Sequence, residues 1–418
     1  HAIIQSPTVT REKLSSVFWF SVMLSLFFAL FALAAAYPTA LIFNEPKVIP
    51  LTQTTSILFI FSGLQIVPQS MLRKEMKFRT VGYIDMISVL VSCMSMIVIA
   101  KLGGGVWTLI GGHVIRNFTR LALLYSATRW RPMFSFDFHE AKQFIQFGIL
   151  VALGRSLFYV HEKSDRFFAG RAWPAQSLGI YSFALQLAVI PTEKIVPIIN
   201  QVSYSAFAAL QHEKERFNEL YLNISKVTAT LVFPIFIGGF LVGEDLIRIL
   251  LTEQWYPMIP LFRYLCLAQI FVAIAAVNGF VHTAQGRPGN NLVFNIVLAV
   301  FMPVSFYFAT KHGMHAILIP WLSTYLILNI GWFIYTLRKI DIPVISYLES
   351  LKFPSLATAA MAASVIVSDR VTGMAAAIPR NIYASLVINV FVGASVYMLL
   401  LWKFDRENLR SVKSLIKG

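Results

Sequence analysis

Apolar runs close to the roughly 20 residues a helix needs to cross a bilayer recur along the whole of this 418-residue chain. Twelve can be set apart, at about 15–38, 50–71, 81–100, 105–127, 144–161, 178–200, 227–250, 258–281, 291–310, 314–337, 354–368 and 382–402. The run at 354–368 is the shortest. All are continuous, whereas a membrane β-barrel would show alternating segments of about ten residues. Inside hydrocarbon every backbone N–H and C=O has to be satisfied within its own segment, so these runs predict helices. Composition agrees, with 57% hydrophobic and 13% charged residues, far from the balance of a soluble domain. The predicted fold class is all-α, a polytopic transmembrane helix bundle.

A net charge of +15 would suit nucleic acid in a soluble protein. Here the 35 Lys and Arg alternate by side instead. One set of connections, with the C-terminal tail, holds 21, among them Arg73, Lys77, Lys214, Arg338 and Lys403. The other set holds nine, among them Lys47, Arg248, Arg370 and Arg380. The positive-inside rule makes the richer set cytoplasmic and puts both ends of the chain inside. Basicity is therefore a topology signal, and no nucleic-acid partner is expected.

Five basic residues remain within the spans: Arg116, Arg120, Arg155, Lys194 and Arg263. Arg120 and Arg263 lie within about two turns of a span end, where a long side chain reaches the headgroups by snorkelling. Arg116, Arg155 and Lys194 lie deeper, where a charge costs about 2.5–3.5 kcal/mol unless it meets water, an anion or a partner helix. The acidic residues placed within spans are Asp85, near a cytoplasmic edge, and Glu193, whose neighbour Lys194 points another way on a helix. A carrier of cations would want exposed carboxylates there, so this cationic interior predicts an anionic ligand.

Other motifs resolve into packing or chance. Asn117-Phe-Thr lies in a span and Asn223-Ile-Ser on the cytoplasmic side, so neither is a glycosylation site. Cys93 and Cys266 stand alone in separate spans, and His113, His161, His282, His312 and His315 lack ligand spacing, so no metal and no cofactor is expected. GGFLVG at 238–243 spaces small residues four apart, as packed membrane helices do. The stretch TRWRPMFSFDFHEAKQF mixes Arg, Trp and Phe as interfacial segments do, which makes 128–143 a cytoplasmic linker between lobes. FNELYLNISK reads either as a surface helix or as a plain solvated connector.

Five stretches carry a family resemblance: LSSVFWFSV, PQSMLRKEMKFRTVGYID, GGGVWTLIGGHVIRNFTR, SDRFFAGRAWPAQSLGIYSFALQLAVIP and LLTEQWYPMIPLFRYL. In order and spacing the chain resembles the Wzx-type polysaccharide flippases of the multidrug/oligosaccharidyl-lipid/polysaccharide exporter superfamily. The family's Asp…Gly-Arg…Leu-Gly-x-Tyr pattern falls on Asp165, Gly170, Arg171, Gly179 and Tyr181, with Ala-Trp-Pro-Ala-Gln in place of its usual small-residue link. The resemblance implies two six-helix lobes plus an accessory pair, fourteen helices in all. Twelve spans then read as an N-terminally truncated chain. On that reading 1–127 is the N-terminal lobe without its first two helices, 144–337 the C-terminal lobe, and 338–418 the accessory pair with a basic cytoplasmic tail.

The resemblance further implies a transporter, not an enzyme, that flips polyprenyl-diphosphate-linked oligosaccharide repeat units across the bacterial cytoplasmic (inner) membrane by alternating access. Arg155, Arg116 and Lys194 would meet the diphosphate in a cationic central cavity, with arginine gripping two oxygens at once, and Asp165 and Arg171 of the family pattern are further cavity candidates. Tyr159, Tyr181 and Trp107 would offer faces to sugars, packing or interfacial anchoring being the competing reading of each. Membrane lipids, a polysaccharide polymerase and chain-length proteins are the implied partners, and no coupling ion can be read. A peptidoglycan-precursor lipid flippase and a multidrug/cation antiporter share the fold and stand as alternatives, the antiporter with Asp85 as its one available first-lobe carboxylate. A polymerase or lipid-sugar transferase would need larger outward loops than KLGGG or KHGMH.

Overall fold

Where the apolar runs end, Gly, Asn or paired charges end the helices. The computed structural model describes residues 11–75, 77–133, 156–210, 213–285, 288–374 and 382–405. Among them are α1 (Arg11–Phe43), α2 (Val48–Thr55), α3 (Ile57–Lys74), α4 (Phe78–Lys101) and α5 (Trp107–Thr128). There follow α6 (156–172), α7 (Ala175–Ala209), α8 (Lys214–Leu250), α9 (Ile259–Ala284), α10 (Pro288–Thr310), α11 (Tyr325–Lys339), α12 (Val344–Met374) and α13 (Ile382–Phe404). Ten helical segments among the described residues are long and apolar enough to span a membrane, so this is a multi-pass membrane protein. The 22-residue α5 is long enough as well, but His113, Arg116, Asn117 and Arg120 lower its hydropathy. Most of the fifth predicted span, 144–161, lies outside the described residues.

The chain divides into two units, His1–Arg155 and Ser156–Gly418. In the first unit α1 packs on α2 and α3, and α5 on α3 and α4. Leu14, Phe18, Val67 and Trp130 form one small core there, and Leu72, Val81, Ile84 and Leu124 another. Trp19 Nε1 donates to the Met133 carbonyl at 2.9 Å, and the Met133 N–H donates to Ser15 Oγ at 3.0 Å, tying the segment after α5 back to α1. At Gly63 a Cβ would lie 2.7 Å from Ser25 Cβ and 2.9 Å from the Ser21 carbonyl oxygen, so only glycine lets α1 and α3 approach this closely.

In the second unit α9 packs against α7 and α8 over a core that includes Tyr181, Phe236, Leu261, Leu265, Met302, Phe306 and Trp321. Two GGFLVG glycines four apart serve helix packing, since a Cβ at Gly239 would stand 3.2 Å from Cys266 Sγ and one at Gly243 2.9 Å from the Phe262 ring. Two predicted boundaries move. FNELYLNISK is no separate surface helix: it is continuous with the following span in the 37-residue α8, because Phe217, Tyr221 and Ser225 give it a buried face of its own. The 354–368 run is the middle of the 31-residue α12, whose Glu349, Lys352, Asp369 and Arg370 shorten the apolar window without ending the helix.

The accessory pair α12–α13 packs on α8 and belongs to the second unit. Tyr397 donates its hydroxyl to the Thr230 carbonyl at 2.7 Å, and Lys226 Nζ lies 2.9 and 2.8 Å from the two Asp405 oxygens. The ion pair is largely enclosed, with side chains 28% and 9% exposed, so removing one partner leaves the other charge uncompensated and costs more than breaking a surface pair. In a double-mutant cycle, Lys226→Ala and Asp405→Ala are expected to show a coupling of about 1–2 kcal/mol in thermal unfolding. Additive losses would mean that the pair does not hold α13. Lys214 and Asp341, 2.7 Å apart but both exposed, contribute little, although the ammonium keeps the Asp341 carboxyl below its ordinary range.

Candidate functional site

In the first unit the basic residues deep within the apolar runs, Arg116 and Arg120, lie on α5. Positions 109, 113, 116 and 120 recur at helical spacing, which sets His113, Arg116 and Arg120 in one stripe. Arg120 does not snorkel. Its Nε donates to Asp85 Oδ1 at 2.7 Å and its Nη1 to Gln65 Oε1 at 2.8 Å. With the Gln69 amide oriented to satisfy its neighbours, Oε1 accepts from Arg120 Nη2 at 2.8 Å and from Arg73 Nη2 at 2.9 Å. Gln65 Nε2 in turn donates to the Asn117 carbonyl at 2.9 Å, joining α3 to α5. Partners on two neighbouring helices hold the guanidinium inside the bundle more cheaply than a stretch to the headgroups would.

Gln65, Gln69 and Arg73 are the residues that a search for charges passes over. Their i, i+4, i+8 spacing in QIVPQSMLR marks one polar stripe on α3, a signal present in the sequence. Arg120→Ala would leave two amides and the half-exposed Asp85 carboxylate unmatched. We expect a loss of about 2–3 kcal/mol in stability, partly recovered by Arg120→Lys, measured by thermal unfolding in detergent.

One turn before Arg120, Arg116 is exposed and meets no hydrogen-bonding or ionic partner among the described residues. The network thus anchors the stripe and leaves Arg116 available to a ligand. Trp107 does not share that surface. It is nine residues away, which on a helix is half a turn round.

The second unit holds the other predicted residues in two different situations. Asp165 on α6 is fully enclosed, its Oδ2 accepting from the Tyr181 hydroxyl at 2.6 Å and its Oδ1 from the Arg166 N–H at 2.6 Å. Trp321 Nε1 donates to the Tyr181 oxygen at 3.1 Å. Trp321 stands in a π-helical turn, Pro320–Thr324, whose proline lacks the N–H that a regular turn would use. Tyr181 has no exposed surface either, so in this conformation Asp165 and Tyr181 lock three helical segments together and present nothing to a sugar or phosphate.

Tyr159 and Arg171, at opposite ends of α6, are exposed. Lys194 is exposed on α7 between Pro191 and Pro197, and neither it nor Glu193 pairs with a described residue. Arg263 donates Nε to the Phe240 carbonyl at 2.8 Å. His282 is enclosed, its ring nitrogens 3.0 Å from Thr336 Oγ1 and 3.2 Å from Asn290 Nδ2. Arg155 lies outside the described residues. No group of three or more His, Cys, Asp or Glu among the described residues is placed to hold a metal.

The family model described as "Polysaccharide biosynthesis protein" matches residues 1–260. The chain is similar to the teichuronic acid biosynthesis protein TuaB of Bacillus subtilis (strain 168), 26% identical over 410 residues, covering 96% of this chain and 83% of that protein. It is also similar to the succinoglycan biosynthesis transport protein ExoT of Rhizobium meliloti (strain 1021), 22% identical over 412 residues, covering 97% and 82% respectively. Among solved structures it resembles the lipid II flippase MurJ in an inward closed conformation, with a TM-score of 0.75 at 14% identity, covering 96% of this chain and 85% of that one. At that identity the likeness bears on the fold alone.

Proposed function

Because this chain belongs to the polysaccharide biosynthesis protein family, we propose that it is a transporter that flips polyprenyl-diphosphate-linked oligosaccharide repeat units across the bacterial cytoplasmic membrane. The lipid of such a substrate can stay in hydrocarbon, while its diphosphate and sugars need polar contacts on the way. The observation that carries the reading is the α5 stripe, on which a membrane-embedded Arg116 is exposed and unpaired among the described residues beside an Arg120 already neutralised by Asp85. Arginine presents a planar fork to phosphate oxygens, and each charge-assisted bond is worth about 1.5–3 kcal/mol. Lys194 adds a point charge on the second unit. Asp85, the carboxylate a cation antiporter would use, is occupied by Arg120, which supports an anionic substrate over a cationic one. The names of TuaB and ExoT also favour surface polysaccharide. The alternation of Lys and Arg favours both termini in the cytoplasm, and a polymerase and chain-length proteins would take up the product.

The test is expression in a strain lacking its own polysaccharide flippase. Restored surface polysaccharide, with loss of the lipid-linked repeat from the inner leaflet, is the expected result. Restored peptidoglycan-precursor export without polysaccharide would overturn the substrate assignment. For topology, a cysteine at position 77 should resist an impermeant thiol reagent in intact cells, while one at position 248 should react.

A further inference from the structure

The stretch PQSMLRKEMKFRTVGYID runs through the turn from α3 into α4, and its Arg73 is the outermost residue of the α3 polar stripe. Arg73 is exposed, one residue before the end of α3. On α5, Arg120 stands eight residues and Arg116 twelve residues before the helix end, about 12 and 18 Å along the axis. The ends of α3 and α5 meet, since Leu72 and Leu124 share one core. Three arginines are thus staggered inward from one end of the first unit, in the order Arg73, Arg120, Arg116. The alternation of Lys and Arg assigns that end to the cytoplasm.

The two outer guanidiniums share one acceptor. Arg73 Nη2 and Arg120 Nη2 donate to the same atom, Gln69 Oε1, at 2.9 and 2.8 Å, which holds two like charges within about 6 Å of each other. That acceptor is a neutral amide oxygen. Arg120 also has a carboxylate, Asp85 Oδ1 at 2.7 Å from its Nε, whereas Arg73 makes no ion pair with a described residue. Glu75, the acidic residue nearest to Arg73 in the chain, is engaged by Lys77 at 2.7 Å. Setting Asp85 against Arg73, Arg120 and Arg116 leaves two positive charges along the row. An amide oxygen shared in this way yields to a charged acceptor, because charge-assisted bonds are stronger and an anion also relieves the repulsion.

We propose that Arg73, backed by Gln69 and Arg120, is the cytoplasmic receiving site for the diphosphate of the lipid-linked substrate, which then passes inward to Arg116. The proposal rests on the flippase reading above. A phosphate oxygen takes the place of Gln69 Oε1 on Arg73 Nη2. The released Gln69 amide can rotate and give its N–H to the same phosphate. A diphosphate esterified at both ends carries two negative charges, the number left open along the row, and the phosphodiester of an ordinary phospholipid carries one.

Binding of geranyl diphosphate to the purified full chain tests the site apart from translocation. The parent should bind it and should not bind geraniol, which has the same tail and no phosphate. Arg73→Ala should weaken binding about tenfold or more, the ratio that one lost charge-assisted bond corresponds to, and Arg73→Lys should recover part of it. The melting temperature without ligand should stay at the parental value, because the side chain is exposed on the last turn of α3. Arg73→Gln, which keeps a polar end beside Gln69, carries the same expectation and decides the matter if the alanine variant melts early. Parental affinity in these neutral variants, or no binding by the parent, would overturn the proposal. Displacement by short-chain phosphatidylglycerol at equal concentration would overturn it as well, by giving the site to bulk lipid. A parent that binds through Arg73 yet flips no oligosaccharide would refute the transport reading and leave the diphosphate site standing.

Discussion

Arg116→Ala is expected to abolish translocation and leave the melting temperature in detergent where it was. The side chain is exposed and unpaired among the described residues, so its loss opens no cavity and strands no buried partner. What disappears is its bonding to the diphosphate. One or two charge-assisted bonds correspond to a fall in transport of about 10- to 1,000-fold or more. Arg116→Lys keeps the charge without the planar fork and should recover part of the rate. Export from cells, with protein abundance and melting temperature measured alongside, checks this. Normal export by a well-folded alanine variant would remove Arg116 from the mechanism, and a drop in melting temperature would show that it holds the fold.

Tyr181→Phe should do the opposite and destabilise the second unit. The hydroxyl is the side-chain donor seen on Asp165 Oδ2 and the acceptor for Trp321 Nε1, and both acidic and phenolic groups are fully enclosed. Removing it leaves a buried carboxyl short of one bond and an indole N–H without its partner, at a cost of about 2–4 kcal/mol and several degrees of melting temperature. Asp165→Leu combined with Tyr181→Phe should cost less than the sum of the two single changes, because the buried polar partner leaves together with its donor. A Tyr181→Phe variant that melts with the parent would mean that the Asp165–Tyr181–Trp321 contacts carry no weight.

Much of the fold is written in hydropathy, because in a bilayer both burial and backbone satisfaction act on every residue of a span. That is why, among the described residues, the apolar runs fall on helices. The limits of α8 and α12 were less legible. Their ends carry Glu, Lys and Asp, which a hydropathy window excludes, while one face of each continues to pack. Glu244 and Asp245 lie inside the run at 227–250 and near the end of α8, and counting only Asp85 and Glu193 among the spans passes over them.

The site was legible in part. A charge in an apolar run is visible in the sequence, and Arg116 and Lys194 are exposed cations. Whether such a charge is paired depends on neighbouring helices, and sequence spacing does not carry that. Arg120 was thus expected at the headgroups, yet it bonds to Asp85 and Gln65 on neighbouring helices. Asp165 and Tyr181 form a recognisable pattern in the chain, but their mutual hydrogen bond, which withdraws both from the surface, spans two helices.

The central claim is best tested with the purified chain in proteoliposomes, with a polyprenyl-diphosphate oligosaccharide placed in the outer leaflet and its accessibility to a membrane-impermeant glycosidase followed over time. Protein-dependent protection of the oligosaccharide, absent with Arg116→Ala, is the result the account predicts. If the oligosaccharide stays fully accessible with the folded parent protein, or is protected equally by the alanine variant, flipping along a cationic surface is contradicted.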